Sequence, residues 1–503
     1  MNYQMKDKNI SRIIGYILFA GWLVFNGILL ILHEPWRDEA NVWLMAKELS
    51  PIQLFREIKY QGHPCLWYLV VMPIAKIGFP FRMIEVLSLS VMSATVWIFL
   101  WKAPFHILTK AVCLFSPVFT YFYSDIARNY CLIALILVIL AWQFPKRNKH
   151  SVRYGLLLGL LVQTDIIAVA PAGMISAMWL LENIWQCCRE RSIRRLKKVL
   201  MGIWIPAVSV GLLFLQFYQV SDSPQFRVRE LEIEEFIREV RNFTYGILIR
   251  MTGRGQSFCL LFFVSCFLVF LVAALRVKSG WAGIVLGCSV LFQAAFSAVI
   301  YQLHLWHYIS LGFVFIWAVW AMWEQWKDRG GEDKIGRAGL KGMEILLMLL
   351  SICMFLHWNS KEESSNLEQA LHGLYSDGGN TAEYIRGQID SDELIISDNV
   401  PMASTVLAHL KNYEFYYAGS GRRASYADWS ENQSQEISYQ ELLMWVQESF
   451  PDRDSFYILK SNDSCIYDAK ALENCELLYQ SGTKTTRGEE YRIYRVEIQG
   501  EQK

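Results

Sequence analysis

Long apolar segments recur along this 503-residue chain and limit its fold more than any other feature. A helix needs about 20 apolar residues to cross a bilayer, and fewer where the membrane thins. The segments lie roughly at 13–32, 82–101, 103–123, 127–143, 154–185, 199–219, 256–275, 281–301, 307–326 and 342–358. The stretch 154–185 is long enough to cross twice. The pattern therefore predicts an α-helical polytopic membrane protein with about eleven transmembrane helices.

The composition agrees with a membrane protein. Hydrophobic residues make up 53% of the chain and charged residues 19%, with a mean hydropathy of +0.23. A net charge of +1 gives no reason to expect nucleic acid as a partner. Most of the eleven cysteines lie in or beside apolar segments, where they behave as small hydrophobic residues. Cys465 and Cys475 lie in a polar region and either form a disulfide or remain thiols.

Positive charge predicts which side of the membrane each loop occupies. Basic residues mark the N-terminus and the loops at 146–153, 189–198, 276–278 and 327–341 as cytoplasmic. The stretch 154–185 must then turn outside near Asp165, and counting backwards places 33–63 and 123–128 outside as well. Leu66–Gly78 becomes a juxtamembrane helix rather than a span. We expect 13–32 to be an anchor, since no small-residue cleavage site follows it.

From Asn359 onward the chain is polar, so we expect a transmembrane domain at 1–358 and a domain at 359–503 outside the cytoplasm. Strand-like runs and helical stretches alternate there, which predicts a small α/β domain. The predicted strands are Leu394–Ser397, Glu414–Tyr417, Phe456–Leu459 and Tyr491–Ile498, and the predicted helices are Met402–Leu410 and Tyr439–Glu448. The run GSGRRA at Gly419–Ala424 is expected to be a turn.

The outer loop 33–80 is unusually rich in acidic, basic and tryptophan residues. Its run DEANVWLMAKEL predicts an amphipathic helix that Asp38 caps, and Ile52–Tyr60 predicts a second short helix. The tryptophans suit the headgroup level of a membrane. The loop is therefore either an interfacial segment with a capped helix or a reaction site whose carboxylates lie at the membrane surface.

Other candidate site residues lie on the same predicted side. Asp125 and Arg128 in YSDIARNY are one helical turn apart, so they either pair with each other or serve a site. Arg82 either reaches the membrane interface or binds an anion. His304 and His307 share a helix face, but no third metal ligand is evident, which favours an interfacial or phosphate-facing role.

The order of RDEA, GHPCLWYL, Phe81-Arg82 and YSDIARNY resembles the GT-C membrane glycosyltransferases. The resemblance is greatest to the family 39, polyprenyl-phosphate-mannose protein mannosyltransferase-like branch. That branch has bacterial relatives such as the aminoarabinose transferase and the RgtA/B/C/D-like enzymes. The resemblance covers about residues 10–320 and is good through residue 175.

This resemblance implies a GT-C fold and inverting transfer of a sugar from a polyprenyl-phosphate donor to a glycan, protein or lipid acceptor. It maps the acidic pair onto Asp38 and Glu39, with Asp38 as general base. Residues implied to bind substrate are Glu39, His63, Arg82, Asp125, Arg128, Tyr130 and His307. His307 stands where many relatives carry arginine, so the contact with the donor phosphate differs here. Glu39, His63 and Asp125 are expected to position the acceptor or a divalent cation, Mg²⁺ or Mn²⁺.

Two other functions fit a polytopic chain. A transporter or flippase for a lipid-linked glycan predicts charges buried in the middle of spans and internal repeats. A non-catalytic envelope protein predicts a binding role for the C-terminal domain. The candidate residues gather in outer loops and no repeat is evident, which favours the transferase.

Overall fold

The computed structural model describes residues 2–191, 193–218, 229–360, 366–429, 435–462 and 464–498. The part up to Trp358 is helical. Its helices are α1 Asn2–Leu32, α2 Arg37–Glu48, α3 Pro51–Glu57, α4 Leu66–Ile77, α5 Met83–Lys102, α6 Ile107–Leu114, α7 Tyr130–Gln143, α8 Ser151–Val162, α9 Val169–Glu190, α10 Ile193–Phe217, α11 Ile233–Thr252, α12 Gln256–Val277, α13 Trp281–Val299, α14 Leu305–Asp328 and α15 Lys334–Trp358.

Among the described residues, eight helices are long and apolar enough to cross a membrane, namely α1, α5, α9, α10, α12, α13, α14 and α15. Three shorter apolar helices, α4, α7 and α8, accompany them. The predicted class, a polytopic helical protein with a small C-terminal sheet domain, is confirmed. The predicted number of about eleven spans exceeds the eight found in the described residues, partly because α7 and α8 have only 14 and 12 residues. Helix α4 has 12 residues and is too short to cross a bilayer, in line with its prediction as a juxtamembrane helix.

The prediction of a spanning helix at 103–123 is wrong. Only α6 is helical there, with eight residues, and irregular turns follow up to Asn129. Pro117 accounts for the break, because a proline disfavours helical backbone in the residue before it. Tyr121 adopts a left-handed backbone with φ of 69°, which turns the chain. This irregular segment carries Asp125 and Arg128 into the protein.

Helices α8 and α10 pack closely through small residues. A side chain on Gly155 would collide with the backbone of Gly202, and one on Gly159 would contact Ile205 at 3.0 Å. Glycines four residues apart on one helix face let two backbones approach closely within a membrane. Gly155 and Gly159 therefore fix the spacing of the two helices and, with it, the turn that carries Asp165.

The run RVRELEIEEFIREVRNF at 227–243 predicts a charged helix within an outer loop at 220–255. Residues 219–228 lie outside the described residues. The helix is present as α11, which begins at Ile233 and continues to Thr252. Its C-terminal end contributes to the cavity described below.

The C-terminal part is an α/β domain. It contains α16 Leu367–His372, α17 Gly378–Gln388, β1 Ile395–Ser397, α18 Val400–His409, β2 Phe415–Tyr417, α19 Tyr439–Ser449, β3 Ser455–Ser461, β4 Glu476–Gln480 and β5 Tyr491–Glu497. The strand order is β2-β1-β3-β5-β4. Strand β1 pairs in parallel with β2 and β3, and β5 pairs antiparallel with β3 and β4. Every predicted strand is present, whereas β4 was not predicted. Gly419–Ala424 forms a turn, and Cys465 and Cys475 are free thiols.

Helix α2 joins the two parts. The backbone N–H of Ala427 donates to Oδ1 of Asn41 at 2.7 Å, and the N–H of Arg37 donates to Oε1 of Glu489 at 3.0 Å. Leu44 lies in the same hydrophobic cluster as Val406 of α18. The domain boundary at 358/359 stays a prediction, but these contacts show that the C-terminal domain packs directly on α2.

Candidate functional site

A cavity of about 1170 Å³ lies where helix α2, the outer turns and the C-terminal domain meet. Its polar lining holds more arginines than carboxylates. The charged and histidine residues of the lining are Arg37, Asp38, His63, Arg128, Asp165, Arg250, His304, His307, His357 and Arg487. Apolar and aromatic residues such as Val42, Tyr68, Phe296 and Trp306 complete it. Such a mixture is typical of a binding site for an anionic ligand that also has an apolar part.

A charged cluster, defined here as Asp38, Arg128, His63 and Asp165, forms one wall of the cavity. The Arg128 guanidinium contacts the Asp38 carboxylate through Nη1 and lies 2.6 Å from Nε2 of His63 through Nη2. Nδ1 of His63 lies 2.9 Å from Oδ2 of Asp165. Asn129 also donates to that Asp165 oxygen at 2.6 Å. The chain of contacts holds the Asp38 carboxylate and the His63 ring in fixed orientations.

Arg128 and His63 keep both carboxylates of this cluster ionised. Burial alone would raise the pKa of Asp38, but Arg128, Arg37 and His63 lower it below its ordinary value. Burial alone would also raise the pKa of Asp165, but His63, with smaller contributions from His307 and the N–H of Ile167, lowers it below its ordinary value. Asp38 is therefore a carboxylate at neutral pH. Its side chain remains 26% exposed, so a ligand in the cavity can reach it.

The first turn of α2 positions Asp38, but not in the way that was predicted. The helix begins at Arg37, so Asp38 lies inside the first turn and does not cap it. Glu39 has the capping role instead, since its Oε2 accepts from the N–H of Trp36 at 3.1 Å. Its other oxygen accepts from the N–H of Ala127 at 2.5 Å. The Glu39 carboxylate thus fixes the start of α2. The neighbouring Asp38 points towards Arg128 from the same turn.

Glu39 is fully buried and does not line the cavity. Besides its backbone partners, it contacts Nε2 of His33 at 3.2 Å. Tyr130 also lies behind the wall, stacked on Tyr123 and edge-on to His63 and His307. These contacts give both residues a role in holding the site together. Direct substrate contact by either one stays a prediction without support from the geometry.

Asp125 and Arg82 are also placed away from the cavity. Asp125 is fully buried, and its carboxylate accepts from Oγ of Ser124 at 2.7 Å. Burial, and to a smaller degree the nearby Glu39, raises the pKa of Asp125 well above its ordinary value. It does not pair with Arg128, because the segment between them is not helical. Arg82 donates to the carbonyl of His33 at 2.6 Å and to Glu85 at 3.2 Å, which ties α1 to α5.

His304 and His307 both line the cavity at the start of α14. Nδ1 of His307 accepts from the backbone N–H of His304 at 2.9 Å. A neutral His307 must therefore carry its proton on Nε2, which makes that nitrogen a donor. The His304 ring stacks on Trp306 with centroids 4.6 Å apart. Burial lowers the pKa of His304, and the cations Arg487 and Arg250 lower it further.

Several cavity residues were not identified as site residues from the sequence. Two of them could have been identified from the sequence. Arg37 precedes Asp38 in the RDEA motif, and charge counting places Asp165 at an outer turn. Arg250 and Arg487 had no such signal, because they come from the end of α11 and from the turn before β5. Only the folded chain brings them to the cavity.

The donor set of the cavity does not fit a divalent cation. Magnesium requires several oxygen ligands in octahedral geometry. The two carboxylates of the cavity, Asp38 and Asp165, are each engaged with a cationic or histidine partner. Within the described ranges, no group of three or more His, Cys, Asp or Glu side chains converges to hold a metal. The dependence on Mg²⁺ or Mn²⁺ stays a prediction, and the steps below use no metal.

No protein-family model and no curated protein sequence match the chain. Two solved structures of ArnT from Cupriavidus metallidurans are similar to it. The apo structure has a TM-score of 0.48 at 12% identity, covering 95% of this chain and 97% of that one. The structure bound to undecaprenyl phosphate has a TM-score of 0.49 at 11% identity, with the same coverage. Likeness at this level does not assign a function, so the function has to be argued from the cavity.

Proposed function

We propose that this chain is an integral membrane glycosyltransferase of the GT-C type. It moves a sugar from a polyprenyl-phosphate donor to an acceptor outside the cytoplasm, with Asp38 as the general base. The observation that carries the proposal is an ionised carboxylate, Asp38, fixed by Arg128 in a large arginine-rich cavity beside apolar helices. Transfer from a lipid phosphate needs a base, cations for the phosphate and access to the membrane.

The reaction is a single displacement. The acceptor hydroxyl or amine attacks the anomeric carbon, and the bond from that carbon to the phosphate oxygen breaks as the new bond forms. The electron pair leaves with the phosphate, which departs as polyprenyl monophosphate. The acceptor proton passes to an oxygen of Asp38. Attack opposite the leaving group inverts the anomeric carbon.

The roles of the other residues follow from their contacts. Arg128 lowers the pKa of Asp38 and orients its carboxylate, while His63 and Asp165 hold Arg128 in place. The positive charge of the cavity offsets the single negative charge of the donor phosphodiester and the second charge that the phosphate gains as it departs. Because a phosphate monoester leaves readily, no strong general acid is required.

The proposal includes the predicted topology, with the N-terminus in the cytoplasm and the C-terminal domain outside. Single cysteines at 149 and 422, in a chain whose native cysteines have been replaced, test it. Lys149 and Arg422 are both exposed in the structure. A membrane-impermeant thiol reagent should label position 422 in intact cells and position 149 only after the cells are opened. The opposite pattern would exclude the proposed site from the outer surface.

Mass analysis of envelope glycans tests the function. Cells lacking the gene should lose the mass of one sugar from an envelope glycan, lipid or protein. The wild-type gene and an Asp452→Asn control at an exposed position should restore it. Asp38→Asn and Asp38→Ala, produced at equal levels, should not. An unchanged set of envelope glycans would contradict the proposal and favour a transport or scaffold role.

A further inference from the structure

The C-terminal domain contributes an arginine to the cavity. Arg487 lies in the turn before β5, two residues from Glu489, whose side chain accepts from the first N–H of α2. The backbone N–H of Arg487 donates to the carbonyl of Tyr375 at 3.2 Å. The backbone N–H of the neighbouring Thr486 donates to the carbonyl of Leu374 at 2.9 Å. The turn is therefore fixed at both residues.

The guanidinium of Arg487 is held by aromatic rings. Its central carbon lies 4.6 Å from the ring centroid of Trp36, 4.9 Å from that of Trp306 and 5.0 Å from that of Tyr375. Its Nε donates to the hydroxyl of Tyr375 at 2.7 Å. These contacts stabilise the cation without neutralising it. They also fix its plane, which reduces the loss of entropy when a ligand binds.

The terminal nitrogens of Arg487 remain available. In the described part of the chain, neither Nη group donates to a protein acceptor, and no carboxylate forms an ion pair with this arginine. A planar guanidinium with a free Nη edge matches the oxygens of a phosphate group. Arg250 is the other cavity arginine that forms no ion pair with a described carboxylate, but one of its Nη groups already donates to the carbonyl of Leu303 at 3.1 Å.

Arg487 is better placed than Arg37 or Arg128 to bind the phosphate of a substrate whose acceptor is deprotonated by Asp38. Arg37 and Arg128 both lie within ion-pair distance of Asp38, so a phosphate on either would crowd the base. Arg487 is near enough to lower the pKa of Asp38 but does not contact it. A displacement with inversion needs room for the sugar between base and leaving group.

We propose that Arg487 of the C-terminal domain binds the phosphate group of a substrate in this cavity, so that the domain completes the binding site. The inference rests on the proposed function, because the donor of that reaction carries a phosphate. The phosphate comes either from the polyprenyl donor or from a phosphorylated acceptor. Both would use the same Nη edge.

Binding to the purified full-length protein separates these sources. The probes are undecaprenyl phosphate, undecaprenol and inorganic phosphate. Their binding is measured with wild type, Arg487→Gln and a control, Arg492→Gln, whose exposed side chain is five residues after Arg487, at the start of β5. Loss of a charge-assisted contact should weaken binding of undecaprenyl phosphate about tenfold to hundredfold in Arg487→Gln. Undecaprenol should bind both proteins equally, and Arg492→Gln should behave as wild type.

Each other outcome has a defined meaning. Weaker binding of inorganic phosphate alone would assign Arg487 to a phosphorylated acceptor. Equal affinities of wild type and Arg487→Gln for both phosphates would overturn the inference but leave the proposed function intact. Wild type that binds undecaprenyl phosphate no better than undecaprenol would contradict the proposed donor.

A second measurement needs no variant, in case Arg487→Gln does not fold. Phenylglyoxal labels arginines, and mass spectrometry locates the labelled sites. Undecaprenyl phosphate or inorganic phosphate should protect Arg487 in the wild-type protein, whereas undecaprenol should not. Equal labelling of Arg487 with and without either phosphate would overturn the inference.

Discussion

Glu489→Gln tests how a buried carboxyl group between the C-terminal domain and helix α2 affects the pH dependence of stability. Glu489 is fully buried, and its side chain accepts from the N–H of Arg37 at 3.0 Å and from Oγ1 of Thr405 at 3.1 Å. Burial, only partly offset by these hydrogen bonds, raises the pKa of Glu489 from 4.5 to about 7. The folded protein therefore holds this proton more tightly than the unfolded chain does.

The sign and size of the effect follow from linkage. Below pH 4.5 the carboxyl is protonated in both states and favours neither. Between pH 4.5 and about 7 the unfolded chain releases the proton first, so the free energy of unfolding falls as pH rises. The full shift corresponds to at most about 3 kcal/mol. Glutamine imitates the protonated acid, so Glu489→Gln should not show this loss.

Equilibrium unfolding of the detergent-solubilised protein, followed by tryptophan fluorescence from pH 5 to 8, measures the effect. The unfolding free energy of Glu489→Gln minus that of wild type should grow with pH and level off above pH 7. Glu490→Gln is the matched control, because hydrogen bonds from Thr485 and Asn462 lower the pKa of Glu490 despite partial burial. A difference that stays constant with pH would refute the reasoning.

Three further variants test the site and the packing. Arg128→Gln removes the main cation beside Asp38, so the pKa of Asp38 should rise. The acidic limb of the pH–activity profile should then move up by about one pH unit or more. A limb at the same pH as in wild type would contradict this. Glu39→Gln disrupts a buried cap and should lower the unfolding free energy by about 1–3 kcal/mol, with near-normal turnover in the protein that remains folded. Gly155→Ala should lower the melting temperature, because its Cβ would meet the α10 backbone, whereas Gly173→Ala has open space and should not.

The sequence was most informative where structure depends on local pattern. Apolar length and alternating strand patterns identified the eight long apolar helices and four of the five strands of the described residues, because both depend on neighbouring residues. The prediction of a spanning helix at 103–123 is wrong, because hydrophobicity alone does not show that the helix breaks before Pro117. The irregular path of this segment also explains why Asp125 and Arg128 do not pair as helical spacing suggested.

The site was predicted only in part. Asp38, His63 and Arg128 were named from short motifs, and the structure brings them into contact. Arg487 and Glu489 could not be found in this way. The contact between Glu489 and Arg37 joins residues 452 positions apart, and no local signal records such a pairing. The family resemblance implies substrate contact for Glu39 as a member of the acidic pair, whereas its burial against backbone N–H groups gives it a structural role.

Single-turnover transfer by purified protein tests the central claim most directly. Wild type and Asp452→Asn, supplied with a polyprenyl-phosphate sugar and an acceptor extract, should release one polyprenyl monophosphate for each sugar transferred. Loss of a general base should slow that release in folded Asp38→Asn by about 10²- to 10⁴-fold. Release by Asp38→Asn and Asp38→Ala at the wild-type rate would contradict the assignment of Asp38 as the base.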